Sequence, residues 1–345
     1  MTTNENQEHS EDLVSILMPA FNCADYVEQA IQSILLQTHS SLELLVVDDS
    51  STDGTWEVIE RVAALDSRVQ VSRNADNQGY LKTCNDLVEK AKGLFVGFQD
   101  ADDWSAPDRI SAQIRLLKKH PEIELCGTNF YRVKDGAIVG GSSYQSDPEG
   151  LRANILGGRV FICGATVLVR ADLIKKYGLY REFFDRIGGE HHDWIARISD
   201  HHGISNVSER LYYYRSVQGS ITGAAVNPRS YGSGRIISFL ARQRQLRGGD
   251  ALQGVDVESF NSILAEIDSH YSDLFFLSRH RILVDLQDAQ LGHAMRGWVT
   301  MVRAWPIRLD TYVLFARIIL SRTPDLSMAI ENLFFVLKKR FLERP

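Results

Sequence analysis

The chain has 345 residues, 44% of them hydrophobic, and a net charge of −6, so it can bury a full core and divide into one large and one smaller domain. The acidic balance argues against a general nucleic-acid binder. Four scattered cysteines, Cys23, Cys84, Cys126 and Cys163, match neither a metal-ligand spacing nor a secreted disulfide framework, so a reducing cytoplasmic setting is expected.

Residues 1–12 are polar and acidic without an apolar core, which reads as a disordered tail and not as a signal peptide. Residues 13–18 form the first expected strand, followed by the turn Pro19-Ala20-Phe21-Asn22 and a helix over 24–37, where Val27, Ile31, Ile34 and Leu35 recur at three and four residues. A second strand over 42–47 runs into Asp48-Asp49-Ser50-Ser51-Thr52-Asp53-Gly54, and a helix then carries Trp56, Val58, Ile59 and Val62. Strand, helix and strand at this spacing make a parallel crossover unit. The pattern repeats through a strand over 68–72, a helix over 80–92 and the apolar run Leu94-Phe95-Val96-Gly97-Phe98, which ends in Gln99-Asp100-Ala101-Asp102-Asp103. A helix over 107–120 follows, then a hairpin or loop over 136–141, a strand over 166–169 and a helix over 190–200. Beyond Pro228 the pattern is helical, which places a domain boundary near Ala225: a 13–225 catalytic domain and a 226–345 helical one.

Three carboxylates within four residues repel one another unless a cation sits among them, and hard oxygen ligands suit Mg²⁺ or Mn²⁺. A solvated acidic turn is the plainer alternative. In an open α/β sheet, ligands bind beyond the carboxyl ends of the strands, and three successive strand ends carry residues 19–22, 48–54 and 100–103. Two acidic clusters on one rim favour a shared ligand over two unrelated helix caps.

With these residues assembled, the chain resembles the inverting family 2 glycosyltransferases of the GT-A fold, over about residues 13–220. Val14-Ser15-Ile16-Leu17-Met18-Pro19-Ala20-Phe21-Asn22 is similar to their opening motif, and Val46-Val47-Asp48-Asp49-Ser50-Ser51-Thr52-Asp53-Gly54-Thr55 to their second. Asn77-Gln78-Gly79 with Asn85 is similar to the third, and Gln99-Asp100-Ala101-Asp102-Asp103 with Pro107 to the metal-binding DXD. The resemblance implies a Rossmann-like mixed, mainly parallel sheet with flanking helices, followed by the helical C-terminal region. It implies donor-nucleotide contacts from Pro19, Ala20, Phe21, Asn22, Asp48, Asp49, Asn77, Gly79, Lys82, Gln99, Asp100 and Ala101. It also implies a divalent cation, Mn²⁺ or Mg²⁺, on Asp100, Asp102 and Asp103. The implied reaction moves a sugar from a nucleotide donor, UDP-linked in the family's usual manner, to a saccharide or lipid-linked saccharide in polysaccharide or lipopolysaccharide synthesis.

Inversion by direct displacement needs a base that takes the acceptor's proton. Family members usually place an Asp in a Glu-Asp pair at a helix start, whereas Gly188-Gly189-Glu190-His191-His192-Asp193-Trp194 has His191 there. Three readings stay open: His191 as the base, Glu190 or Asp193 as the base, or Glu190 and Asp193 as charge partners of a helix amino terminus. Cys84 replaces a common Arg in the third motif, so Lys82 or Arg73 would have to meet the phosphates. Arg215, in Tyr214-Arg215-Ser216-Val217-Gln218-Gly219-Ser220, is a candidate for the closing loop, with Val217 in place of a frequent His.

Residues 281–345 hold ten Lys and Arg against six Asp and Glu. The amphipathic stretches 308–322 and 326–341 read either as a peripheral contact with the inner face of an anionic membrane or as packing helices, including those of a homodimer. No apolar window approaches the roughly 18 residues that span a bilayer. Two rival functions remain: a nucleotidyltransferase, which should carry a glycine-rich basic loop where Pro19-Ala20-Phe21-Asn22-Cys23 stands, and a non-catalytic nucleotide-binding or scaffold subunit that has lost its base.

Overall fold

The computed structural model describes residues 12–216, 228–271, 282–283 and 291–304. The expected tail, the loop over 217–220 and the amphipathic stretches 308–322 and 326–341 lie outside the described residues. The chain divides into two compact units, Met1–Val217 with Arg229–Leu264, and Gln218–Pro228 with Ala265–Pro345.

The first unit is built on nine strands: β1 (Val14–Ala20), β2 (Leu42–Asp48), β3 (Val69–Arg73), β4 (Phe95–Phe98), β5 (Trp104–Ser105), β6 (Ile123–Lys134), β7 (Ala137–Gly141), β8 (Leu168–Arg170) and β9 (Gly203–Arg215). They form one sheet in the order β3-β2-β1-β4-β8-β6-β9-β5, with β7 paired to β6. β1 is central, running parallel to β2 with Leu17 opposite Leu45 and parallel to β4 with Leu17 opposite Phe98. Such strands are covered on both faces and read as unbroken apolar runs, and β2 is buried along its whole length. The sheet is mixed and, by its paired residues, mainly parallel, as expected. β1–β2, β2–β3, β1–β4 and β6–β9 are parallel, while β4–β8, β6–β8, β5–β9 and β6–β7 are antiparallel.

Helices α1 (Val27–Leu35), α2 (Thr55–Ala63), α3 (Tyr80–Val88) and α4 (Arg109–Lys119) fall where periodicity places them. α1 buries Val27, Ala30, Ile31 and Ile34, and α4 buries Ile110, Ile114 and Leu117, against one core that includes Ile16, Leu44 and Phe95. Farther on come α5 (Pro148–Leu156), α6 (Ala171–Tyr177) and α7 (Glu190–Ser199). α8 (Pro228–Arg247) buries Ile236, Ile237, Leu240 and Ala241, and with the first part of α9 (Val257–Tyr271) it belongs to the sheet-bearing unit, beyond the expected boundary near Ala225.

In the second unit, α10 (Leu291–Ala304) buries Ala294 and Met301, seven residues apart on one face. Among the described residues no helix is long and apolar enough to cross a membrane.

Ile16 has no exposed surface and lies between β2 and β4. Ile16→Ala is expected to remove about 2–5 kcal/mol of unfolding free energy, read as a lower urea midpoint with an unchanged slope.

Candidate active site

The carboxyl ends of β1, β2 and β4 open on the same rim, at the point where the strand order reverses from β1 to β4. β4 delivers Asp100, Asp102 and Asp103, whose ligand oxygens lie within 4.8 Å of one another. Asp100 Oδ1 and Asp103 Oδ2 are buried without a hydrogen-bond partner. Burial raises the Asp100 carboxyl to about 7, reinforced by the neighbouring charges of Asp102 and Glu190. Burial and then Asp102 and Asp100 push Asp103 well above the usual carboxylate range, and burial raises Asp102 as well. Two orphaned carboxylate oxygens in a cluster of hard ligands fit a divalent cation, because a buried acceptor left unpaired is costly.

The loop holding the triad is braced from three sides. Asp100 N donates to the Tyr212 hydroxyl at 3.2 Å, and Ser105 Oγ donates to Gln99 Oε1 at 2.7 Å. Gln99 is thus occupied in supporting the loop. Arg215 donates its backbone N–H to Asp103 Oδ1 at 2.6 Å and its Nε to the Asp102 carbonyl at 2.7 Å, while its guanidinium lies between the Tyr26 and Trp104 rings. This binds Arg215 into the wall of the loop. Beneath it, the fully buried Arg109 donates Nη1 to the carbonyls of Phe98 and Ala165.

The β2 turn is organised by its two aspartates. Asp48, without exposed side-chain surface, pairs with Arg73 at 2.9 Å. Asp49 accepts from Asn74 Nδ2 at 2.7 Å and from the N–H groups of Gln78 and Gly79 at 2.9 and 2.8 Å, and Asn77 Nδ2 donates to the Asp49 carbonyl. Asn22, at a left-handed φ of 48°, accepts from Thr52 N and ties the β1 turn to this one. Ala20 is buried beside it, and Phe21 is 49% exposed at the rim, which leaves its ring open to a ligand. Pro19 sits opposite Val47 in the β1–β2 pairing. Lys82 is exposed and pairs with Asp86 one helical turn on, so neither Lys82 nor Arg73 is an uncommitted cation.

Glu190 opens α7 after Gly189, whose φ of +91° favours glycine. His191 Nε2 lies 3.3 Å from Glu190 Oε1, and its Nδ1 lies 3.2 Å from the Tyr180 hydroxyl. Both ring nitrogens thus face a polar partner, the Glu190 carboxylate on one side and the Tyr180 hydroxyl on the other. The ring packs on Gly164, where a Cβ would come within 2.3 Å of it, and Tyr80 stands edge-on at 5.7 Å. Asp193 is not at the rim's disposal. It is buried and paired with Arg181 and Arg197, so its charge is committed to those arginines.

Sequence reasoning missed the support of His191. Asn85 grips Tyr180 through both of its backbone polar groups, each at 3.0 Å, and Tyr180 carries the hydroxyl that meets the imidazole. Asn85 was visible as part of the third motif, but nothing local marks Tyr180, 95 residues away.

A model of the family described as Glycosyl transferase family 2 matches residues 15–178. The Escherichia coli UDP-Glc:alpha-D-GlcNAc-diphosphoundecaprenol beta-1,3-glucosyltransferase WfaP is 30% identical over 212 residues, covering 61% of this chain and 80% of that protein. The putative glycosyltransferase EpsE of Bacillus subtilis is 29% identical over 204 residues, covering 59% and 72%. The crystal structure of S. aureus TarS 1-349 in complex with UDP-GlcNAc superposes with a TM-score of 0.57 at 20% identity, covering 90% of this chain and 88% of that one. That likeness speaks to the fold.

Protons compete with a metal for the triad. Asp100 titrates at about 7 in the folded chain against 3.8 unperturbed, so the folded state binds the proton more tightly. In chelator, falling pH through 7 therefore favours folding, and ionisation above 7 removes that margin. Thermal shifts with Mn²⁺ are expected to grow between pH 6 and pH 8, and Asp102→Asn is expected to abolish the Mn²⁺ shift without lowering the metal-free midpoint.

Proposed function

The chain belongs to glycosyl transferase family 2, and from that premise we propose that it moves a sugar from a UDP-linked donor to a saccharide carried on a lipid diphosphate, inverting the anomeric carbon. The observation that carries the mechanism is Glu190 on the same rim as the acidic triad, close enough for its charge to raise the Asp100 carboxyl. The WfaP name supplies the class of donor and acceptor. A peripheral position at the cytoplasmic membrane face suits such an acceptor.

In this reading the nucleotide lies across the β1 and β2 turns, over Phe21 and the loop that Asp49 holds. Asp100, Asp102 and Asp103 would hold a divalent cation, which when bound neutralises the departing diphosphate. Glu190 takes the acceptor hydroxyl proton as that oxygen attacks the anomeric carbon from the face opposite the leaving group. His191 positions the base: its Nε2 stands 3.3 Å from Glu190 Oε1 and its Nδ1 meets the Tyr180 hydroxyl, so the ring limits how the carboxylate can turn. The family assignment removes the nucleotidyltransferase reading, and an intact Glu190 speaks against a subunit without a base.

The test is release of UDP from a panel of UDP-sugars with a lipid-diphosphate-linked GlcNAc acceptor and Mn²⁺. Glu190→Gln is expected to lower kcat about 10²–10⁴-fold with UDP binding retained, and His191→Gln to lower it less. Full turnover by Glu190→Gln, with loss in His191→Gln, would move the role of base to the imidazole.

A further inference from the structure

α7 has functional groups at both ends. Glu190 begins it, and its ten residues span about 15 Å. At the far end a cavity of about 640 Å³ opens, lined by Arg152 of α5, Lys176 of α6, Arg197 and Asp200 at the end of α7, and Arg244 of α8. Its size is that of a small-ligand pocket. All of these residues belong to the first unit.

The walls of this cleft carry more positive charge than the fold neutralises. Asp200 pairs with Arg152 and Arg244, Asp250 with Arg244 and Arg181, and Asp193 with Arg181 and Arg197. In and beside the cleft four arginines thus share three carboxylates, and Lys176 on its wall adds a further positive charge. Lys176 is exposed, lies over the Tyr177 ring at 5.1 Å and makes no ion pair among the described residues. Arg244 is the second sign: its side chain is only 10% exposed, yet its Nη2 has no hydrogen-bond partner. Asp193 and the carbonyls of Tyr177 and Leu179, to which its Nη groups donate, account for Arg197, but not for the surplus supplied by α5, α6 and α8.

We propose that this cleft is a binding site for a diphosphate-bearing anion, separate from the donor site at the other end of α7. The Lys176 ammonium and the partly exposed Arg152 guanidinium supply the charge-assisted donors, and the exposed amide of Gln245 completes the wall. The same chemistry would recognise a free diphosphate or the headgroup of an isoprenoid diphosphate.

The test is calorimetric titration of the full chain in EDTA, where the bare carboxylate triad repels anions, with inorganic pyrophosphate, farnesyl diphosphate and citrate. Saturable pyrophosphate binding, tighter than citrate and weakened at least tenfold by Lys176→Glu combined with Gln245→Glu, is expected. Tighter binding of farnesyl diphosphate assigns the site to a lipid headgroup, and equal binding assigns it to the free anion. Both positions are exposed, so the double variant should keep the wild-type melting temperature and metal-dependent UDP release. No saturable binding, no preference over citrate, or binding untouched by the double variant would each overturn the proposal.

Discussion

Three carboxylates packed within 4.8 Å, two of them with a buried oxygen that nothing meets, form the constraint around which the rest of the first unit is arranged. A cluster of this kind opposes its own ionisation, so the chain has to hold it in place by contacts made elsewhere. It does so with neutral donors and with cations kept at one remove. Tyr212 fixes the backbone at Asp100, Arg215 closes on the loop from β9, and Arg109 lies below with its charge shared among carbonyls and the Tyr212 ring. Burial lowers the Arg109 guanidinium to about 10, which leaves it charged at neutral pH. These cations temper the cluster without entering it, and the centre is left for a metal.

The position of Glu190 depends on a second set of charges. α7 is pinned one turn in by Asp193, whose carboxylate is shared by Arg181 and Arg197, and Arg181 passes the connection to Asp250 beside α8. Breaking a buried pair by removing one partner commonly costs 3–5 kcal/mol. Asp193 therefore anchors the helix that begins with Glu190. Its place in a Glu-His-His-Asp run made it look like a candidate base, and only the fold separates the two carboxylates into different roles.

The first four strands and their helices were legible because buried parallel strands are continuous apolar runs and each crossover helix has a clear period. β6 and β9 were not. β9 reads Gly-Ile-Ser-Asn-Val-Ser-Glu-Arg-Leu-Tyr-Tyr-Tyr-Arg, and its pairing with β6 shifts register near Thr128 and Asn129, so no period-two alternation survives along its length. In the site, the triad and the turn at Asp48 and Asp49 could be read because their residues are adjacent in sequence. What Asp49 does could not be read, since its partners Asn74, Gln78 and Gly79 arrive from the next crossover. The same holds for Tyr180 and Asn85, which meet only in the folded chain.

The imidazole at 191 has an electrostatic consequence for the whole rim. With a Glu-Asp pair, the triad and the start of α7 would carry five carboxylates, whereas with Glu190 and His191 they carry four, counting Asp100, Asp102 and Asp103. A divalent ion then leaves two negative charges in place of three when an anionic donor approaches, and in a site with little water each such charge is felt strongly. The imidazole also sets Nε2 3.3 Å from Glu190 Oε1, where a second carboxylate would repel it. His191, in the place of the family's usual Asp, thus changes what surrounds Glu190 at the start of α7.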